Sequence, residues 1–332
     1  MDIEHNFMTL FVLGQDWLSN LPADHKESTY NKYDNILKNQ IYPRLGEILV
    51  EDLSYDVISL HVKYLLEKGG IDEKGLSGKT VRDAFSVLKN ILRYSARKYG
   101  TPINLNINDI RIRDEKKEMR VLSLREQEKL CSYISKHMDY CNLGILITLY
   151  TGLRVGEMCG LRWQDIDCEE NTLHVQHTLQ RIQNKKDPKG PKTKVVLSTP
   201  KTANSNRIIP LTDELINLLK QFKGDPEAFV LSNSTHAIEP RLLQRRFCKV
   251  LKECSINHAN YHALRHTFAT RCIECGFDIK SLSEILGHAD VSTTMNKYVH
   301  STLEFKRENM RKLLPLHIVI DSIVDDNKKM YL

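Results

Sequence analysis

The stretch that most restricts what this chain can fold into is residues 78–100, GKTVRDAFSVLKNILRYSARKYG. Val81, Phe85, Leu88, Leu92 and Tyr99 recur at three- and four-residue spacings, while Arg82, Lys89, Arg93 and Arg97 fall on other faces. That period is the one of an amphipathic helix, whose apolar stripe must be covered by other elements. Upstream, ESTYNKYDNILKNQIYPRLGEILV and SYDVISLHVKYLLEKGG supply further helical patterns, with breaks expected at Pro43, Gly46 and the pair Gly69-Gly70. Residues 1–110 are therefore expected to form a small helical bundle with a basic outer face, on which Arg82, Lys89 and Arg93 are candidate contacts for a polyanion.

The pattern changes after Gly100. GTPINLNINDIRIRDEKKEMRVLS has turn residues, little apolar periodicity and a dense charge run, so residues 111–120 are read as an interdomain linker. Ser123 and Glu126 then stand in capping-box spacing at the head of a new helix. Beyond it, residues 121–332 read as a mixed domain. Helices are expected around Cys131 to Met138 and Leu143 to Tyr150, then strands in TLHVQHTLQRI, KVVLSTP and NRIIPL, and helices again from Thr212 onward. The fold class is mostly α with a small antiparallel β-sheet, in two domains.

Charge is concentrated in one place. Between Thr172 and Leu211, Arg181, Lys185, Lys186, Lys189, Lys192, Lys194, Lys201 and Arg207 face Asp187 alone, so this segment accounts for the whole formal excess of +6. Such a block suits a polyanion, with Lys185, Lys186, Lys192 and Lys194 as candidate contacts; a solvated loop is the plainer alternative. The chain shows neither a membrane-length apolar run nor a secretory start, and a cytoplasmic location without membrane contact is expected. Its eight cysteines are scattered, which fits reduced thiols. Cys272 and Cys275 form a CxxC, but no second ligand pair answers it, so no metal is assigned.

Four clusters hold polar residues that a packing pattern does not require. In TGLRVGEMCGLRW, Gly152 ends one helix and Arg154 begins the next. In STPKTANSNRIIPL, Lys201 is expected at the tip of a hairpin between two strands. In YHALRHTFATRC, His262 and Arg265 share a helix face at i, i+3. In LGHADVSTTMNKYVH, His288 precedes Tyr298 by ten residues, about 15 Å along an unbroken helix. Gly287 as a C-cap and Asp290 or Ser292 as a new N-cap would fold the chain back there.

Each cluster alone has an ordinary explanation. Together and in this order, TGLRVGE, PKTANSNRIIPL, HALRHTFAT, LGHADVSTT and the tyrosine after them resemble the tyrosine recombinases, or phage integrase family, and specifically integrases of conjugative elements and phages of Gram-positive bacteria. The resemblance covers both domains, although family members with an added N-terminal arm-binding module differ from this chain, which starts almost directly at the helical domain. It implies a core-type DNA-binding domain followed by a catalytic domain. Arg154 and Arg265 would bind the phosphate, Lys201 would be the hairpin lysine, His262 and His288 the two histidines, and Tyr298 the nucleophile, with Glu157 at a supporting acidic position.

The chemistry of that set is coherent. A phosphodiester gains charge on its nonbridging oxygens during attack, and two planar guanidinium groups can neutralise them; each such donor is typically worth about 3–4 kcal/mol. A phenol is protonated at neutral pH, so Tyr298 needs a base such as His262 or a strongly positive site. His288 would donate to the phosphate, and Lys201 would protonate the departing 5′-hydroxyl. The resulting 3′-phosphotyrosine conserves the bond energy, so neither ATP nor a metal cofactor is implied. The implied partners are double-stranded DNA, three further copies of the chain on paired DNA sites, and accessory DNA-bending or directionality factors. Topoisomerase-like strand transfer and an inactive DNA-binding regulator are the alternatives. Beyond Tyr298, STLEFKRENMRKLLPLHIVIDSIV is expected to be either a terminal helix on its own domain or a segment lent to a neighbouring subunit.

Overall fold

The structure, a computed structural model, describes residues 8–22, 25–100, 110–113, 119–184, 190–199 and 205–298, with positions 307 and 310. The chain divides into two compact units, Met1–Glu118 with Arg181–Val196, and Met119–Gln180 with Leu197–Leu332. Among the described residues no helix is long and apolar enough to cross a membrane.

The first unit is built on α1 (Leu10–Ser19), α2 (Glu27–Ile36), α3 (Tyr42–Leu45), α4 (Tyr55–Lys68) and α5 (Gly78–Tyr99). In α5 the side chain of Ser77 accepts from the Thr80 amide, and Val81, Phe85, Leu88, Ile91 and Leu92 are buried. They pack with Leu10, Leu13, Leu37 and Ile58 into one core. The break expected at Pro43 is absent: a π-turn over Leu37–Ile41 runs directly into α3, and helical structure stops near Gly46 instead. Pro43 has no N–H to donate within this continuous helical run, and the π-turn directly before it is where the helix register shifts.

The second unit contains α6 (Leu124–Lys136), α7 (Tyr140–Thr151), α8 (Val155–Gly160), β1 (Ile166–Asp167), β2 (Thr172–Val175), β3 (Thr178–Gln183, reaching into the first unit), β4 (Thr193–Ser198, likewise shared), β5 (Arg207–Pro210), α9 (Asp213–Phe222), α10 (Pro240–Glu253), α11 (His262–Glu274), α12 (Ile279–Leu286) and α13 (Val291–Tyr298). The capping box of Ser123 and Glu126 is present at the start of α6. That helix runs unbroken to Lys136, so Cys131 to Lys136 is its second half rather than a separate element, and Met138 lies beyond its end. Helix α7 is buried on nearly every side and forms the centre of a core with Trp163, Leu173, Ile209, Phe247 and Leu264.

The strands correct one expectation. TLHVQHTLQRI is two strands in different sheets: β2 lies between β1 and β5, antiparallel to both, with Leu173 opposite Ile209, whereas β3 pairs with β4. KVVLSTP and NRIIPL are thus not the two arms of one hairpin. Alternation of apolar residues marks a strand but does not choose its neighbour. The ribbon residues 181–196 belong with the first unit, where the Asn31 amide donates to the Gln183 carbonyl at 3.0 Å and Lys194 pairs with Glu27 at 3.0 Å.

Candidate active site

The site grows from the C-terminal end of α12. A helix leaves its last carbonyls without intrahelical partners, and that end carries partial negative charge. Here three successive carbonyls are each taken by a different arginine. Arg207 Nε donates to Ile285 O at 2.5 Å, Arg265 Nη2 to Leu286 O at 2.7 Å, and Arg154 Nη2 to Gly287 O at 3.0 Å. The three come from β5, α11 and the N-cap of α8.

Local sequence explains how each is delivered. Gly152 ends α7 in the left-handed region at φ 67°, and its carbonyl accepts from Arg265 Nη1 at 2.9 Å. A Cβ there would sit 2.6 Å from the Phe268 ring, so glycine is required by both conformation and space. Two residues on, the Arg154 amide donates to Glu157 Oε2 at 2.9 Å while Arg154 Nη1 donates to Glu157 Oε1 at 2.7 Å. Glu157 is itself 4% exposed and also receives Arg207 Nη2 at 2.9 Å and Nη1 at 3.3 Å. Burial opposes its charge, but Arg207 and Arg154 outweigh that and hold its carboxyl below the usual range.

Arg265 is 1% exposed, and burial, reinforced by Arg154, lowers its guanidinium to about 9, which leaves it protonated at neutral pH. Arg154 is more open, with 36% of its side chain exposed. Each guanidinium has five N–H donors; Arg154 spends two on the Glu157 carboxylate and the Gly287 carbonyl, and Arg265 spends two on backbone carbonyls and a further one on the Tyr298 hydroxyl. The remaining donors are available to an anion.

Gly287 leaves α12 at φ 63°, and Asp290 caps α13 by accepting from the Ser292 amide. The chain therefore folds back between His288 and Tyr298 as the spacing required. His288 Nδ1 bonds Thr294 Oγ1 at 2.7 Å across the turn, and the His288 ring lies parallel to that of Tyr298 with centroids 6.4 Å apart. Tyr298 is 6% exposed and packs with Ala269, Cys272, Leu282 and Leu286. Burial raises its hydroxyl above the ordinary phenol value, and Arg265 and Arg154 work in the opposite direction.

The histidine next to the tyrosine is not one of the two expected. His266 Nδ1 lies 2.8 Å from Tyr298 Oη, and His262 meets the His266 ring edge-on at 4.5 Å between centroids. His262, His266 and His288 are all held low, at about 4, 4 and 3, first by desolvation and then by neighbouring positive groups, although His262 keeps an exposed edge. All three are neutral at pH 7.

The structure thus assembles Arg154, Glu157, His262, Arg265, His288 and Tyr298, and adds Arg207 and His266. The sequence places Arg207 within the basic segment, but the residue is 8% exposed and bound to Glu157. Its only sequence signal was its place in an alternating strand, where it falls on the same face as Ile209. Lys201, Lys185 and Lys186 lie outside the described residues, as does the segment after Tyr298 apart from positions 307 and 310. Of the candidate basic contacts, Arg82 and Arg93 are exposed, Lys89 lies over the Phe85 ring at 4.9 Å, Lys192 is exposed and Lys194 is engaged by Glu27. A further basic face emerges only in the folded helix. Arg241, Arg245, Lys249 and Lys252 are all exposed on α10 at spacings of four, four and three residues. The eight cysteines are free thiols, with Cys272 buried and Cys275 exposed.

The phage integrase family profile matches residues 120–304, more than half the chain, and the N-terminal SAM-like domain of phage integrases matches residues 9–66. A XerC-like tyrosine recombinase of Caldanaerobacter subterraneus is 27% identical over 96% of this chain and 86% of its own length. The ICEBs1 integrase of Bacillus subtilis is 25% identical over 93% and 82%, and the Tn916 transposase of Enterococcus faecalis 28% identical over 58% and 51%. Among solved structures, the Tn1549 transposon integrase in complex with a circular intermediate DNA superposes with a TM-score of 0.74 at 25% identity, covering 92% of this chain and 99% of that one. A lambda integrase dimer bound to a core site, at 17% identity and a TM-score of 0.63 over 89% and 97%, shares the fold.

Proposed function

The chain belongs to the phage integrase family and is a tyrosine-type site-specific DNA recombinase; from that premise we propose which of its residues perform the reaction and on what. The observation that carries the assignment is the convergence of Arg154, Arg265, His288 and Tyr298 at the end of α12. The free N–H groups of Arg154 and Arg265 bind the nonbridging oxygens of the scissile phosphate, where charge grows during attack. His288 completes the anion site. Tyr298 attacks phosphorus, its proton passes to His262, and the 3′-phosphotyrosine bond forms as the bond to the 5′-oxygen breaks. Lys201 donates a proton to that oxygen. Attack by a second strand's 5′-hydroxyl reverses these steps and restores the tyrosine.

The substrate is double-stranded DNA, held by phosphate contacts from the exposed faces of α5 and α10. The Tn1549 integrase solved on a circular intermediate DNA and the ICEBs1 integrase support integration and excision of a mobile element as the biological reaction. Assembly is as a tetramer on paired sites with DNA-bending or directionality factors, the segment beyond Tyr298 being exchanged between subunits, in a cytoplasmic setting. The reaction proceeds without ATP or metal.

A suicide substrate nicked beside the scissile phosphate tests the central assignment. Wild-type protein traps a covalent adduct on a denaturing gel, and Tyr298→Phe binds the same duplex but forms none. An adduct that persists in Tyr298→Phe would move the nucleophile elsewhere. Lys201→Ala slows cleavage of the ordinary substrate, while a 5′-bridging sulfur, whose leaving group needs no proton, restores it; failure of that rescue removes the acid role.

A further inference from the structure

His266 lies one residue after Arg265, and its Nδ1 is hydrogen-bonded to the Tyr298 hydroxyl at 2.8 Å. The direction of that bond follows from the surroundings. Arg265 acts on the phenol oxygen as a hydrogen-bond donor and a positive charge, and a guanidinium cannot accept. A hydroxyl on a residue only 6% exposed needs an acceptor for its own hydrogen. His266 Nδ1 is the atom within reach, and an imidazole held neutral at about 4 carries a bare nitrogen to accept it. Tyr298 O–H therefore donates to Nδ1, which places the ring proton of His266 on Nε2.

We propose that His266 is a positioning residue that latches the nucleophile: its Nδ1 holds the Tyr298 hydroxyl in the site of its own subunit before DNA enters. The inference rests on Tyr298 being the nucleophile. Full proton transfer in this state is not the function of the bond. Moving a proton from a phenol that burial holds above its ordinary value to an imidazole that burial holds low, at about 4, is strongly disfavoured. The bond instead fixes the oxygen. Tyr298 is on α13, joined to α12 by the short turn at His288, and α11 is the element that can anchor it from the other side. His262, edge-on to His266, limits rotation of the latch ring.

The test uses the full-length protein and the suicide substrate, with single-turnover adduct formation and duplex affinity measured for three variants. His266→Ala removes the acceptor and should slow adduct formation by about 10- to 100-fold, the range for one oriented hydrogen bond at a reacting atom, with affinity within about three-fold of wild type. Asparagine places Oδ1 where the ring has Nδ1, and glutamine places its amide near Nε2. His266→Asn should therefore recover most of the rate and His266→Gln should not. A role in packing alone predicts the reverse order, because glutamine fills more of the ring's volume, and that order would overturn the latch, as would wild-type rate in His266→Ala. Circular dichroism on each variant detects misfolding, in which case Asn and Gln, as polar replacements at the same site, still give the decisive comparison. Peptide mapping of the wild-type adduct keeps the two claims separate: an adduct on a residue other than Tyr298 refutes the nucleophile, whereas an adduct on Tyr298 that is indifferent to His266 refutes only the latch.

Discussion

Replacing Arg207 by methionine removes a guanidinium at similar side-chain volume. In the structure that group makes four bonds: two to Glu157 at 2.9 and 3.3 Å, one to Ile285 O at 2.5 Å and one to Ser205 O at 3.2 Å. Breaking a buried ion pair from one side costs about 3–5 kcal/mol, mostly because the other charge stays buried and uncompensated. Glu157 would keep Arg154, bound through Nη1 and the backbone amide, so the lower end, about 3 kcal/mol, is expected. For a unit of this size that lowers Tm by about 6–12 °C. Glu157→Gln should cost more, since two arginines then lose their carboxylate and Arg207 is nearly inaccessible to water. Because both changes act on one network, the double variant should be less unstable than the sum by about 1–3 kcal/mol. Adduct formation should fall about 10- to 100-fold in Arg207→Met, as Ile285 loses its clamp and the neighbouring carbonyls that orient Arg265 and Arg154 shift. Urea unfolding and single-turnover cleavage measure the two effects. An Arg207→Met protein within 0.5 kcal/mol of wild type, cleaving at the wild-type rate, would refute the reasoning.

Three other outcomes follow from the same geometry. His266 and His288 sit far below the unfolded histidine value of 6.5, so between pH 6.5 and 5 the unfolded chain binds protons that the folded one does not; stability is fully present above pH 6.5 and declines as pH falls through that window. Urea midpoints at pH 7.5, 6 and 5 should show the decline, and His288→Asn should flatten it; a midpoint rising toward pH 5 contradicts the neutral state. Substituting Arg245 on the basic face of α10 with alanine should weaken duplex binding and reduce the slope of log affinity against log salt by about 1, as loss of one phosphate contact requires; an unchanged slope removes α10 from the DNA contacts. Strand cleavage should continue in EDTA without ATP, because guanidinium groups neutralise the phosphate; cleavage restored only by added divalent metal would point to a different chemistry.

Much of the architecture followed from local patterns. The stripe from Val81 to Leu92 predicted α5 and its buried face, the Ser123 and Glu126 pair predicted where α6 starts, and Gly152 and Gly287 marked the helix ends that expose Arg154 and turn His288 back toward Tyr298. These features depend on residues within a turn or two of one another, so periodicity and caps suffice to read them. The proposed catalytic set was named for another reason, the ordered motifs that resemble those of a known family.

Which groups meet was settled by contacts between residues far apart in the chain. Arg154 reaches Gly287 across 133 positions, Arg207 reaches Ile285 across 78, and His266 reaches Tyr298 across 32. Only its place in an alternating strand separates Arg207 from the lysines of the basic block, and that position becomes a buried pair only when α8 brings Glu157 against it. Nothing local separates His266 from His262, four residues away on the same helix, until α13 packs on α11. Likewise the sequence marked β4 and β5 as strands, but only the fold decided that β4 pairs with β3 and β5 with β2. The sequence by itself determined most of the helices, the ends marked by capping residues and glycines, and the reactive residue types. Only the tertiary structure decided the partners, because a buried charge or hydroxyl takes whichever donor or acceptor the packing of apolar surfaces brings within about 3 Å.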